Sequence, residues 1–115
     1  MNFRILKNDD EIYILEFHGT MDLYSSTQIK GLVMKIVENR IEGLIVDLGN
    51  VDAINSAGVG ALIYISSTLK KINCALALTN ISSVVQKTMT VTRLTGYMPI
   101  TRTLKEAVDL INTAR

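Results

Sequence analysis

Apolar residues in this chain alternate between two spacings, and the changes mark out its elements. Phe3-Arg4-Ile5-Leu6 and Ile12-Tyr13-Ile14-Leu15-Glu16-Phe17 read as two strands, joined as a hairpin by the polar turn Asn8-Asp9-Asp10, with Gly19 breaking the second. Ser25 and Gln28 stand at the spacing of a capping box, and Ile29, Leu32, Val33, Ile36 and Val37 follow at helical spacing, so a helix is predicted from about Ser26 to Asn39. The run Leu44-Ile45-Val46 within residues 43–48 has the continuous apolar character of a strand covered on both faces. After a short loop, a second helix is predicted from about Ala57 to Ile72. Cys74-Ala75-Leu76-Ala77-Leu78 is a further buried strand. A third helix, from Ser82 to about Arg93, carries Val84, Val85 and Met89 inward, with Gly96 as its stop signal. Its β-branched threonines weaken the pattern. Pro99-Ile100 suits a short edge strand, and Thr103 with Glu106 opens a last helix. The order β-β-α-β-α-β-α-(β)-α predicts one α/β domain over residues 1–115, a mixed sheet of four to five strands packed with about four helices.

Composition narrows the function. With 12 basic and 11 acidic residues the formal charge is +1, and the longest basic run is Lys70-Lys71, so no nucleic-acid footprint is expected. Two Phe, four Tyr and no Trp provide little for stacking bases. Apolar runs stop well short of the ~20 residues that span a bilayer, and no secretory signal is visible, so neither membrane insertion nor export is expected. A single cysteine, Cys74, fits a reducing cytoplasm.

On a helical wheel, Gly58, Ala61, Leu62, Ile65, Leu69 and Ile72 of the second helix share one face, which is predicted to pack on the sheet. The other face carries Ser56, Gly60, Ser67 and Lys71, but also Ile63, flanked by Val59 and Tyr64. Those apolar residues are either a docking patch for a partner or are covered by a neighbouring loop or the C-terminal helix. Ser56 falls where the helix opens, as a cap or an acceptor, where unpaired N–H groups and the helix dipole favour negative charge. Such a serine is better suited to receive a phosphate than to act as a nucleophile.

Other chemistries find no support in the residues. His18 is the only histidine, and no strained Gly-x-Ser-x-Gly elbow surrounds Ser56, so serine hydrolysis has no base. No metal-ligand spacing is present, and Gly58-Val59-Gly60 lacks the further glycine and lysine of a nucleotide loop. The expectation is a protein that is not an enzyme and binds no cofactor. Cys74 reads as a small core hydrophobe.

Over nearly its whole length the chain resembles the STAS-domain family, specifically the bacterial anti-sigma-factor antagonists. The resemblance is carried by Gly19-Thr20-Met21-Asp22, Leu44-Ile45-Val46-Asp47-Leu48, Asn55-Ser56-Ala57-Gly58-Val59-Gly60 and Leu94-Thr95-Gly96. The family's usual motif is Asp-Ser-Ser/Thr/Ala-Gly-Leu/Val-Gly, and its first serine, the phosphoacceptor, corresponds to Ser56. The resemblance implies partner switching. The unphosphorylated form binds an anti-sigma serine kinase and frees a sigma factor; phosphorylation on Ser56, with ATP used by the kinase, abolishes binding; a serine phosphatase restores it. The implied partner surface comprises Asp22, Asn55, Val59, Gly60, Ile63 and Tyr64, with Asp22 near Ser56, on a monomer. The chain departs from the motif at Asn55, which replaces the usual Asp and removes one negative charge beside the acceptor. The alternative is a STAS subunit that is never phosphorylated, such as an accessory protein of a membrane lipid transporter or another constitutive adaptor.

Overall fold

The computed structural model describes residues 2–8, 11–39 and 41–114. It contains strands β1 (Asn2–Lys7), β2 (Ile12–Met21), β3 (Gly43–Ile54), β4 (Ala75–Thr79) and β5 (Ile100–Thr101), and helices α1 (Leu23–Glu38), α2 (Ser56–Lys71), α3 (Ser83–Val91) and α4 (Leu104–Ala114). A single 3-10 turn, Leu94–Gly96, precedes β5. The sheet runs β1-β2-β3-β4-β5, with β1 antiparallel to β2 and the other pairs parallel. Element order and the mixed sheet agree with the sequence reading. Of the expected hairpin turn, Asp9 and Asp10 lie outside the described residues; Asn8 caps it by accepting the Ile12 N–H on Oδ1 at 2.9 Å.

Burial alternates across the strands and sorts the helices onto two faces. Leu15, Phe17, Leu44, Val46, Leu48 and Leu78 point to one side, where they meet Ile29, Val33 and Ile36 of α1, Ala61, Leu62, Ile65 and Leu69 of α2, and Val85 and Met89 of α3. Ile12, Ile14, Ile45 and Ala77 point to the other side and are closed over by Ala107 and Ile111 of α4. This follows from the two-residue side-chain period of a strand meeting right-handed crossovers that place successive helices on one face.

Five local readings are corrected. Val84, expected inward on the third helix, is 42% exposed. Gly19 does not end the second strand: β2 continues to Met21, taking its irregularity as register shifts near Glu16–His18 and Gly19–Thr20, with Gly19 at φ 113. The stretch after Leu48, expected as a loop, is strand up to Ile54. It pairs only with β2, so its second half alternates buried Val51 with exposed Asn50 and Asp52, while Ser82 Oγ donates to the Val51 carbonyl at 2.9 Å from the other side. Ile72 is not part of the packed face of α2 and is half exposed. The third helix ends at Val91 with Arg93 in the left-handed conformation (φ 62), before Gly96 is reached.

Candidate functional site

The site lies where two helices start side by side. The Met21–Ile54 pairing brings the ends of β2 and β3 together, and the Asn55 N–H donates to the Met21 carbonyl at 3.1 Å. Asp22 and Asn55, the next residues on each strand, are therefore neighbouring N-caps. Gly58 allows this closeness: a Cβ there would lie 2.6 Å from the Met21 carbonyl oxygen and 2.8 Å from Ile54 Cγ1. From α1, Ser26 Oγ donates to the Ala57 carbonyl at 2.9 Å and ties the two first turns together.

The caps differ from the predicted ones. Asp22, not Ser25, caps α1, in a reciprocal box. Asp22 Oδ1 accepts the Ser25 N–H at 2.9 Å, and Ser25 Oγ accepts the Asp22 N–H at 2.8 Å. The Ser25 N–H bond holds the Asp22 carboxyl below its ordinary value. At α2 the cap is Asn55, whose Oδ1 accepts both the Ala57 N–H (3.0 Å) and the Gly58 N–H (3.2 Å). Ser56 is then the first helical residue and not the cap. Its side chain is exposed and enters none of the hydrogen bonds of the described residues.

At the start of α2, Asn55 donates to Met21, and Ala57 and Gly58 donate to Asn55, which leaves only the N–H of Ser56 itself. A phosphate on Ser56 would feel the helix dipole but would find no ready nest of N–H donors. It would project outward.

The other predicted site residues fall around this point unequally. Gly60 is exposed one turn beyond Ser56, and nothing lies within 4 Å of where its Cβ would be. Ile63 is 38% exposed on the same line of the helix. Tyr64 is half-buried on the α1 side, with Lys30 Nζ 5.6 Å from its ring centroid. Val59 packs against the main core and contributes only part of its surface. Neither Ile63 nor Gly60 is covered by α4, which lies on the opposite face of the sheet.

Two exposed residues absent from the predicted surface stand next to Asp22. Leu23 and Tyr24 open α1 directly after Asp22 and are 73% and 71% exposed. A helix starting at Ser26 leaves them in a loop. The signal for the earlier start was Asp22 and Ser25 at the three-residue spacing of a capping box. Thr20 Oγ1, donating to Asp52 Oδ1 at 3.0 Å, closes the rim between β2 and β3.

Elsewhere, His18 sits 3.5 Å from Glu16 within β2, between β1 and β3, and partial burial pushes the Cys74 thiol up to about 11, helped by Glu42. Among the described residues no three His, Cys, Asp or Glu side chains gather as metal ligands, and no helix is long and apolar enough to cross a membrane. A cleft of about 280 Å³ between Phe3 and the Gly31 side of α1, and one of about 470 Å³ by Asn80, Gln86 and Arg102, are both lined without Ser56.

The fold and this pair of capped helix starts define a small α/β module that presents a serine at its surface. The chain belongs to the STAS domain family, whose model matches residues 4–107. It is similar to a chain of the stressosome, a signal integration and transduction hub, at 27% identity over 97% of this chain and 99% of that one, with a TM-score of 0.78. It is also similar to a serine-to-glutamate variant of RsbS from Moorella thermoacetica (25% identity, 98% and 97% covered, TM-score 0.82). The fold is shared with the unphosphorylated form of the anti-sigma factor antagonist SpoIIAA (21% identity, 97% of both chains, TM-score 0.81).

Proposed function

We propose that the chain is an anti-sigma-factor antagonist working by partner switching, a cytoplasmic binding protein without catalysis of its own. Unphosphorylated, it binds an anti-sigma serine kinase and frees a sigma factor. Phosphorylation on Ser56, at the expense of the kinase's ATP, abolishes binding, and a serine phosphatase reverses it. The observation that carries this reading is the exposed, unengaged Ser56 hydroxyl beside a cap that another residue, Asn55, already supplies. Phosphorylation then costs the fold no hydrogen bond. It adds about −1.5 to −2 charges at neutral pH, and the helix dipole offsets their cost to the folded module by ~0.3–1 kcal/mol. A partner seated on Gly60 and Ile63 would instead have to desolvate the dianion, which is expensive. The switch acts at the interface and needs no large rearrangement of the domain.

The likeness to antagonists supports the reading, as does the reach of the family match across both helix starts. The test is mass spectrometry of the protein isolated from its native host, paired with binding of Ser56→Asp and Ser56→Ala to the anti-sigma kinase of that organism. A phosphoryl group on the Asn55-Ser56 peptide, lost binding in Ser56→Asp and retained binding in Ser56→Ala are expected. Ser56 unmodified even in phosphatase-deficient cells, with Ser56→Asp binding as wild type, assigns the chain to the constitutive adaptors instead.

A further inference from the structure

Charge in this molecule is divided by face. The exposed charged residues of α1, α2 and α3 are Lys30, Lys35, Lys70, Lys71 and Lys87 against the single acid Glu38, so these three helices carry a formal +4. The entire chain is only +1, which leaves the remainder at −3. On the opposite face α4 has Lys105 against Glu106 and Asp109.

None of these five lysines enters an ion pair among the described residues. Arg4–Glu16, Lys7–Glu11 and His18–Glu16 pair in and around the β1–β2 hairpin, away from the helical layer. Two lysines are steered instead by aromatic faces: Lys30 over Tyr64, and Lys70 at 4.1 Å from the Tyr97 centroid. The same layer exposes Leu23, Met34 and Ile63. Exposed apolar residues on a helical layer of net positive charge match a protein surface of the opposite sign.

We infer that the α1–α2–α3 layer docks an acidic protein surface, and that the kinase of the proposed switch presents it; the inference rests on that reading. The complementarity explains why one phosphate suffices. Adding about −1.5 to −2 charges at Ser56 removes nearly half of the layer's positive charge, at the end already bordered by Asp22 and Asp52. The partner's acidic groups then face a dianion where they had faced a neutral hydroxyl.

The experiment compares binding of the purified anti-sigma kinase to wild type, Ser56→Asp, the double variant Lys30→Glu/Lys35→Glu and the opposite-face control Lys105→Glu, at low and high salt. Melting temperatures confirm that each variant is folded. The double reversal is expected to weaken binding roughly ten-fold or more, with wild-type affinity falling as salt rises and the control unchanged. Binding insensitive to salt and to the double reversal, with Ser56→Asp still inactive, overturns the acidic partner and leaves the switch standing. The converse pattern overturns the switch and keeps the acidic partner. An equal loss in Lys105→Glu reduces the effect to net charge and overturns the proposal. Lysine-dependent binding to phosphatidylglycerol vesicles, without lysine-dependent kinase binding, assigns the layer to a membrane and overturns it too. A wild type that fails to bind the kinase overturns both readings.

Discussion

The starts of α1 and α2 are built alike and used differently. Each follows a strand of one parallel pair, each is capped by an Asx residue in extended conformation, and each places serine within its first turn. At α1 the serines are consumed. Ser25 and Ser26 are 1% and 3% exposed, with Ser25 Oγ donating to the Thr20 carbonyl at 2.9 Å and Ser26 Oγ to Ala57. At α2 the side-chain oxygen of Asn55 satisfies the backbone alone, and Ser56 is left facing solvent. A serine at a helix start is thus a structural part or a modifiable surface group according to whether its neighbour has already done the capping.

That contrast can be tested by separating the two starts or exchanging their roles. The largest effect is expected from Gly58→Ala, whose added methyl would press on the Met21 carbonyl and Ile54; a loss of about 1–3 kcal/mol in chemical denaturation is predicted. Asn55→Ala removes the acceptor of two N–H groups and should cost ~1 kcal/mol, while Asn55→Asp keeps the acceptor and should hold or slightly raise stability through the dipole. Gly60→Ala should do the opposite of Gly58→Ala: nothing opposes its methyl, so stability should rise by up to about 1 kcal/mol while kinase binding falls. A drop in both would place Gly60 in the fold instead of the interface. The smallest effect concerns pH. The folded Asp22 carboxyl is held below its ordinary value of 3.8, so its contribution is complete above that pH and is lost as pH falls through the lower folded value. The stability difference between wild type and Asp22→Asn should therefore vanish on acidification, followed by urea melts across that range.

The elements were legible wherever burial enforced a period. Ile29, Val33 and Ile36 of α1 and the run Leu44–Val46 announce their structures because each faces a dense core. Boundaries were hidden where hydrogen bonding outweighed pattern. Residues 49–54 look like a loop because only β2 pairs them, and their exposed side would be read as polar chain in any case. Asp22 and Ser25 are both cap-forming residue types, and a cap at Ser25 places Leu23 and Tyr24 outside α1. The position of Ser56 was visible in the motif. Its release from capping was not, since that depends on which side chain reaches Ala57 and Gly58 in three dimensions.

The sheet is ordered β1 to β5 as the chain is, so during synthesis each strand after β1 leaves the ribosome with its neighbour already made. Growth in one direction has one debt. The side formed by Ile12, Ile14, Ile45 and Ala77 is covered only when Ala107 and Ile111 arrive. Until the last helix of the domain emerges, a nascent chain with the Ser56 end of α2 already assembled carries an uncovered apolar back. The front of the molecule is complete before the back is safe.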